Sequence, residues 1–165
     1  MFKDILSRIQ RNHGLEHATL NLLHARYPQR PFAGHSDLGG FWIVGEITAP
    51  QLTEVVKDAL EQLQSGRQNL ALHDNCGTNL LTSGMLAGLA GAAALIGVGD
   101  KRRQKLSRIP LIISLATIGL VLSRPLGRFL QKHVTTSGDP GSLQIRKVLT
   151  HQQGQLTAHR VQTQG

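Results

Sequence analysis

His13-Gly14-Leu15-Glu16-His17 reads H-x-x-E-H. On a helix, residues four apart share a face, so His13 and His17 can offer two imidazoles to one metal ion, with Glu16 projecting beside them. In the inverted zinc-protease motif the glutamate at this position activates water. A second constellation, His73-Asp74-Asn75-Cys76-Gly77-Thr78-Asn79, spaces His73 and Cys76 like paired metal ligands. It also sets Cys76 near a helix N-terminus, where the dipole favours the thiolate. Together the motifs predict a divalent metal, zinc ahead of iron, held by His13, His17 and His73, with Cys76 as fourth ligand or reactive neighbour and Glu16 as general base. Three protein ligands leave a reactive position open, whereas four close the site in a structural role. The competing readings are two surface histidines on a helix and a capped helix start, in which Asn75 or Thr78 accepts backbone N–H bonds and Gly77 makes the turn.

Other polar residues fall around these motifs. Asp37 and Glu46 suit acceptors that orient a ligand imidazole, although an aspartate in a turn and a glutamate on an exposed strand more often face only solvent. Asn79, or backbone N–H groups near Gly77, suits the stabilisation of an oxyanion. His24 lies seven residues after His17 on the same helical face, where a solvated histidine is favoured over one flanking the site. Trp42 fits a membrane interface or the underside of a sheet equally well.

The elements that must position these groups follow from hydrophobic periodicity. Residues 2–26 carry a helical pattern, interrupted near Gly14 and stopped at Tyr27-Pro28. Residues 31–48 suggest a β-hairpin, with extended stretches near 32–35 and 41–47 about Ser-Asp-Leu-Gly-Gly. Residues 49–64 repeat Leu52, Val55, Val56, Ala59, Leu60 and Leu63 at helix spacing, with Gly66 ending the helix. Residues 69–72 read as a strand, and 143–151 with 156–163 as a polar terminal β-hairpin.

Between them lies the apolar mass. No charge occurs over the 25 positions from Asn75 to Gly99, and in Leu80–Val98 only Thr82 and Ser83 are polar. A bilayer core needs about 20 helical residues. A basic loop, residues 100–108 with Lys101, Arg102, Arg103, Lys105 and Arg108, leads to a second apolar run of 15 residues, Ile109–Ser123. Beyond that run Arg124 and Arg128 can snorkel. The expectation is a transmembrane helical hairpin. A buried soluble hairpin is disfavoured, because a remainder this poor in aromatics offers little apolar surface to cover it. Small residues four apart, Gly84 with Gly88 and Ala87 with Gly91, invite close backbone approach, including that of a second copy in a homo-oligomer.

The 165 residues suit one domain or a domain with an appendage, and a single cysteine excludes both an internal disulfide framework and a paired-cysteine zinc ribbon. The formal charge of +8 is uneven: residues 1–99 hold seven Lys/Arg and eight Asp/Glu, residues 100–165 eleven and two. Basic residues against an apolar helix point to anionic lipid, and without interleaved aromatics not to nucleic acid. Comparable charge flanks both ends of the hairpin, so the charge rule leaves its facing open.

The chain resembles a family of uncharacterised small membrane proteins, of the domain-of-unknown-function kind, seen mainly in photosynthetic bacteria. More distantly it is similar to bacterial membrane proteins described as predicted metal-dependent enzymes. The resemblance rests on His13 to Thr19, on Asp37 to Glu46 around Gly40-Phe41-Trp42, on His73 to Asn79, and on Pro125 to Thr136. It implies a metal site and an integral location in a bacterial inner or photosynthetic membrane. The resulting expectation is an α+β membrane protein. A small α+β domain, residues 1–78, carries both motifs and packs on a transmembrane hairpin, residues 79–131, and residues 132–165 bring the β-hairpin. Its activity would be that of a metal-dependent hydrolase or peptidase; the competing expectation is a non-catalytic membrane module with a structural metal or polar cluster.

Overall fold

The computed structural model describes residues 2–154 and 156–165. The chain divides into two compact units, one running to His73 and resuming over Lys132–Gly165, the other Asp74–Gln131.

In the first unit, helix α1 (Phe2–Arg26) buries Leu15, Ala18 and Leu23 on the core side. It runs unbroken through Gly14, where an interruption was expected. The glycine serves a close approach instead: a Cβ there would stand 2.0 Å from the Ser137 carbonyl oxygen. Strands β1 (Ala33–Asp37) and β2 (Gly40–Val44) form the expected antiparallel hairpin. Helix α2 (Ala49–Gln64) starts at a capping box, in which the side chains of Thr48 and Gln51 each serve the other's backbone N–H. It buries Leu52, Val55, Val56, Ala59 and Leu63. Where residues 69–72 were read from sequence as a strand, the chain forms a short 3-10 helix, Gln68–Ala71. Here the carbonyls of Leu70 and Leu72 accept from Asn21 Nδ2, each at 2.9 Å, so local turns and a side chain do what a sheet ladder would have done.

Strands β3 (Gln144–Gln153) and β4 (Leu156–Gln164) make the terminal hairpin, and β4 also pairs antiparallel with β2, Phe41 opposite Val161. The result is one four-stranded antiparallel sheet in the order β1-β2-β4-β3. Alternation explains the docking: His159, Val161 and Thr163 are buried along β4, and Val161 joins Phe41, Ile43 and Leu143 in a core completed by α1 and α2. Two of the buried polar side chains, Thr163 and Asn12, link these elements. Thr163 Oγ1 donates to Asn12 Oδ1 at 2.7 Å, and Asn12 Nδ2 donates to the carbonyl of Asp37 at 2.8 Å.

In the second unit, helix α3 (Gly77–Ala93) and helix α5 (Ile109–Leu130) pack together, with the short α4 (Arg102–Leu106) between them. α5 continues through a π-helical turn, Gln131–Thr135, and over Ile109–Thr135 it is long and apolar enough to cross a membrane. α3 is shorter than its apolar run. Beyond Ala93 the chain bonds three residues back, Leu95 N–H to Ala92 and Ile96 N–H to Ala93. Its 17 helical residues rise about 26 Å, and among the described residues α5 is the one helix that is long and apolar enough to span. Of the two pairs expected to allow close approach, Ala87 and Gly91 do so: a Cβ on Gly119 would lie 3.1 Å from Ala87 Cα, and one on Gly91 3.4 Å from Ile112 Cγ2. Gly84 and Gly88 meet open space, whereas a Cβ on Gly119 would lie 2.7 Å from the Leu86 carbonyl and one on Gly127 2.4 Å from Asn79 Oδ1. Ser123, midway between these glycines, shares a 2.7 Å hydroxyl bond with Ser83.

Replacing Gly14 by Ala should destabilise the chain by about 1–3 kcal/mol, because the opposing atom is backbone and cannot swing away. Gly84→Ala should be neutral or stabilising by about 1 kcal/mol or less, through helix propensity alone. Thermal melts of the two purified variants check the contrast.

Candidate metal centre

Helix α1 places His13, His17 and His24 along one face, and the chain leaving the 3-10 helix adds His73. The ring centroids of His13 and His17 are 4.3 Å apart, edge to face. Those of His17 and His73 are 5.7 Å apart, and His24 stacks on His73 at 5.6 Å with planes 4° from parallel. The histidines therefore form a row with the buried His17 between His13 and His73. A metal bound at about 2 Å through one nitrogen of each ring would leave centroids roughly 5 Å apart, a spacing that the first two separations bracket.

What fixes the rings is a set of oxygen acceptors. His13 Nδ1 lies 2.9 Å from the Thr135 carbonyl, and His17 Nδ1 lies 2.8 Å from that of Ala71. A carbonyl oxygen only accepts, so each Nδ1 carries the proton and the neutral ring keeps its lone pair on Nε2. His73 Nδ1 lies 2.8 Å from Asn21 Oδ1. Because Asn21 Nδ2 already donates to Leu70 and Leu72, the amide can present only its oxygen to His73. Three imidazoles are thus held in the tautomer that a metal ligand requires, by the kind of outer contact that orients such ligands.

Glu16 is 4% exposed. Its Oε1 lies against β1, where a Cβ on Gly34 would stand 2.5 Å away, and Oε2 is buried with no hydrogen-bond partner among the described residues. Burial raises its carboxyl pKa above the ordinary carboxylate value, against the opposing pull of His13, a Ser36 hydrogen bond and His35. The donors fit a divalent transition-metal ion: neutral imidazole nitrogens, with an unpartnered carboxylate oxygen one residue from the middle ligand.

The remaining candidates have partners of their own. Asp37 takes a bidentate bond from Arg160 at 2.8 and 2.6 Å, and a third from Gly39 N at 2.7 Å; it pairs with no imidazole of the row. Arg160 also lies 5.3 Å above the Trp42 ring, which places Trp42 on the sheet. Glu46 is exposed, and its carbonyl accepts from Arg30. In the second unit Cys76 caps α3, its sulfur accepting from Thr78 N–H at 3.4 Å, and Asn79 Nδ2 donates to the Asp74 carbonyl at 2.9 Å. Sequence reasoning missed Asn21 and the two backbone carbonyls, and it set His24 aside as solvated. Asn21 and His24 each lie at helical spacing from His17, a signal that composition alone does not rank.

Fold and site define an α+β histidine-bearing protein joined to an apolar helix pair. The chain belongs to the family described as domain of unknown function DUF6391, which matches residues 8–148 and so includes both histidine motifs. It is 34% identical over 139 residues to an uncharacterised protein of Picosynechococcus sp. (strain ATCC 27264 / PCC 7002 / PR-6), a match covering 78% of this chain. The chain spans just under two thirds of that relative, 66% of its length. No solved structure matches it.

The Arg160 hydrogen bonds hold the Asp37 carboxyl below the ordinary value. A folded-state pKa below the unfolded one, about 3.9, means that the pair stabilises the fold above that pH and loses its contribution as pH falls through the lower folded value. The effect is modest, since the carboxylate side chain is 44% exposed. Asp37→Asn should accordingly flatten the fall in melting temperature below about pH 4 while lowering it at neutral pH, as a pH series of melts on both proteins would show.

Proposed function

We propose that the chain is an integral membrane, metal-dependent hydrolase of peptide or related acyl bonds, with His13, His17 and His73 holding a divalent ion, zinc by donor type. The observation that carries this reading is Glu16: a buried carboxylate with an oxygen unpartnered among the described residues and a pKa raised by burial, one residue from His17 and one helical turn from His13. When bound, such an ion polarises a scissile carbonyl and acidifies water. Glu16 accepts the proton from the attacking water at Oε2, and its raised pKa brings it nearer the range where a general base works at neutral pH. Thr135, Ala71 and Asn21 keep the imidazoles in one tautomer through that transfer.

A second reading, a non-catalytic module in which the metal ties parts of the fold together, draws support from the near-complete burial of His17 and Glu16. Cys76 decides between them, since a thiolate that completes the ligand set leaves no position for substrate.

The membrane half of the proposal rests on an inverted exposure pattern in the second unit. Leu80, Leu81, Leu89, Ile96, Ile113, Val121 and Leu122 are exposed, while Thr82, Ser123, Gly119 and Gly127 are buried. Water would penalise that arrangement and hydrocarbon favours it. The bilayer, of a bacterial inner or photosynthetic membrane, is then the partner of this face, α3 completing a hairpin with α5, and the open Gly84–Gly88 edge offers a place for a second copy.

His13→Ala and His17→Ala should lose the metal from detergent-purified protein. Glu16→Gln and Cys76→Ser should keep it, and Glu16→Gln should cut turnover in a peptide and ester screen by roughly 10²–10⁴. Metal loss in Glu16→Gln or Cys76→Ser equal to that of the histidine variants would support the structural module instead. The protein should also stay with membranes through carbonate extraction; release would overturn the membrane reading.

A further inference from the structure

The second unit contains a cavity of about 980 Å³ whose lining includes Asp74, Cys76, Asn79 and Leu80 at the start of α3, and Arg124 and Arg128 on α5. The two arginines are four residues apart and so share a face of α5. Arg128 Nη2 donates to Asp74 Oδ1 at 2.8 Å. Arg124 has no ion-pair partner among the described residues. The site therefore holds two guanidiniums against one carboxylate, a local charge of one positive unit, at the end of α3 where the helix dipole is also positive.

Its position selects the ligand. Arg124 comes directly after the apolar run Ile109–Ser123, and the neighbouring large apolar side chains are open, Leu80 at 78% and Phe129 at 56% exposure. An arginine that closes an uncharged apolar run in this way can reach the depth of lipid phosphates, with hydrocarbon beside its stem.

We infer that this cavity binds the phosphodiester of an anionic phospholipid headgroup, with Arg124 as the principal donor and Asp74 holding the Arg128 guanidinium in place. Guanidinium matches phosphate oxygens in bidentate geometry. One net positive charge suits a singly charged phosphodiester better than free phosphate, which carries nearly two negative charges at neutral pH, and better than a zwitterionic headgroup with no net charge. The inference rests on the membrane reading above and uses none of His13, His17, His73 or Glu16.

The test titrates the detergent-purified full chain with short-chain phosphatidylglycerol, phosphatidylcholine or inorganic phosphate, followed by thermal shift and native mass spectrometry. Phosphatidylglycerol should bind and stabilise most, and Arg124→Gln should weaken it roughly fivefold. Arg128→Lys, which keeps the charge but loses the fork, should weaken it less. A variant carrying Arg102→Gln and Arg103→Gln, in the distant basic loop, should bind as wild type. Equal weakening in the loop variant would overturn the site in favour of diffuse surface charge. Inorganic phosphate stabilising as well as phosphatidylglycerol would overturn the lipid assignment. Carbonate extraction separates the two proposals: a chain that stays in the membrane without phosphatidylglycerol preference refutes this inference alone, and a chain that is released refutes the membrane reading and the lipid with it.

Discussion

Helix α1 grips the chain at both places where it borders residues 74–131. On the incoming side the Ala71 carbonyl accepts from His17, those of Leu70 and Leu72 accept from Asn21, and Asn21 in turn accepts from His73. On the returning side Thr135 accepts from His13, Val134 accepts from Gln10 Nε2, and Ser137 N–H donates to the Gln10 carbonyl. Neither segment belongs to a sheet ladder, so their backbone groups need partners from side chains. Gly14 lets the second segment come within touching distance of the helix backbone. The three bonds to imidazoles have a double consequence: each helps to close the first unit, and each decides which nitrogen of the ring keeps its lone pair.

That coupling explains why polar residues occupy the buried length of α1. Asn12, Glu16, His17 and Thr19 are all buried there, and each polar group removed from water costs free energy unless it is paired. Asn12, His17 and Thr19 have protein partners. Glu16 Oε2 has none among the described residues, and an apolar residue would fill the same volume without that cost. That unsatisfied carboxylate oxygen, a state shared on α1 only with Arg8 Nε among the described buried side-chain atoms, is the feature on which the proposed chemistry rests.

That His13 and His17 share one helix face was legible in sequence because i,i+4 spacing acts locally, through helix geometry alone. So were α2, with its capping residues and apolar stripe, and the first β-hairpin, with its glycine turn. The acceptors of the imidazoles were not legible, because a backbone carbonyl is offered by every residue type and only tertiary placement selects Thr135 and Ala71. The pairing of β4 with β2 is likewise nonlocal: Val161 meets Phe41 across 120 residues of sequence. In the apolar unit composition indicated two long helices, whereas α3 stops at Ala93. The small residues that set the packing lie on α5, at Gly119, Ser123 and Gly127, because it is there that the opposing α3 backbone comes close.

The central claim, that the histidine row of α1 is a metal centre, is tested most directly by X-ray absorption at the zinc edge on detergent-purified protein loaded with one equivalent of zinc. The account predicts a first shell dominated by nitrogen at about 2.0 Å, with the outer-shell scattering of at least three imidazoles. A shell of oxygen alone, without imidazole scattering, or failure to retain zinc after desalting, would contradict it.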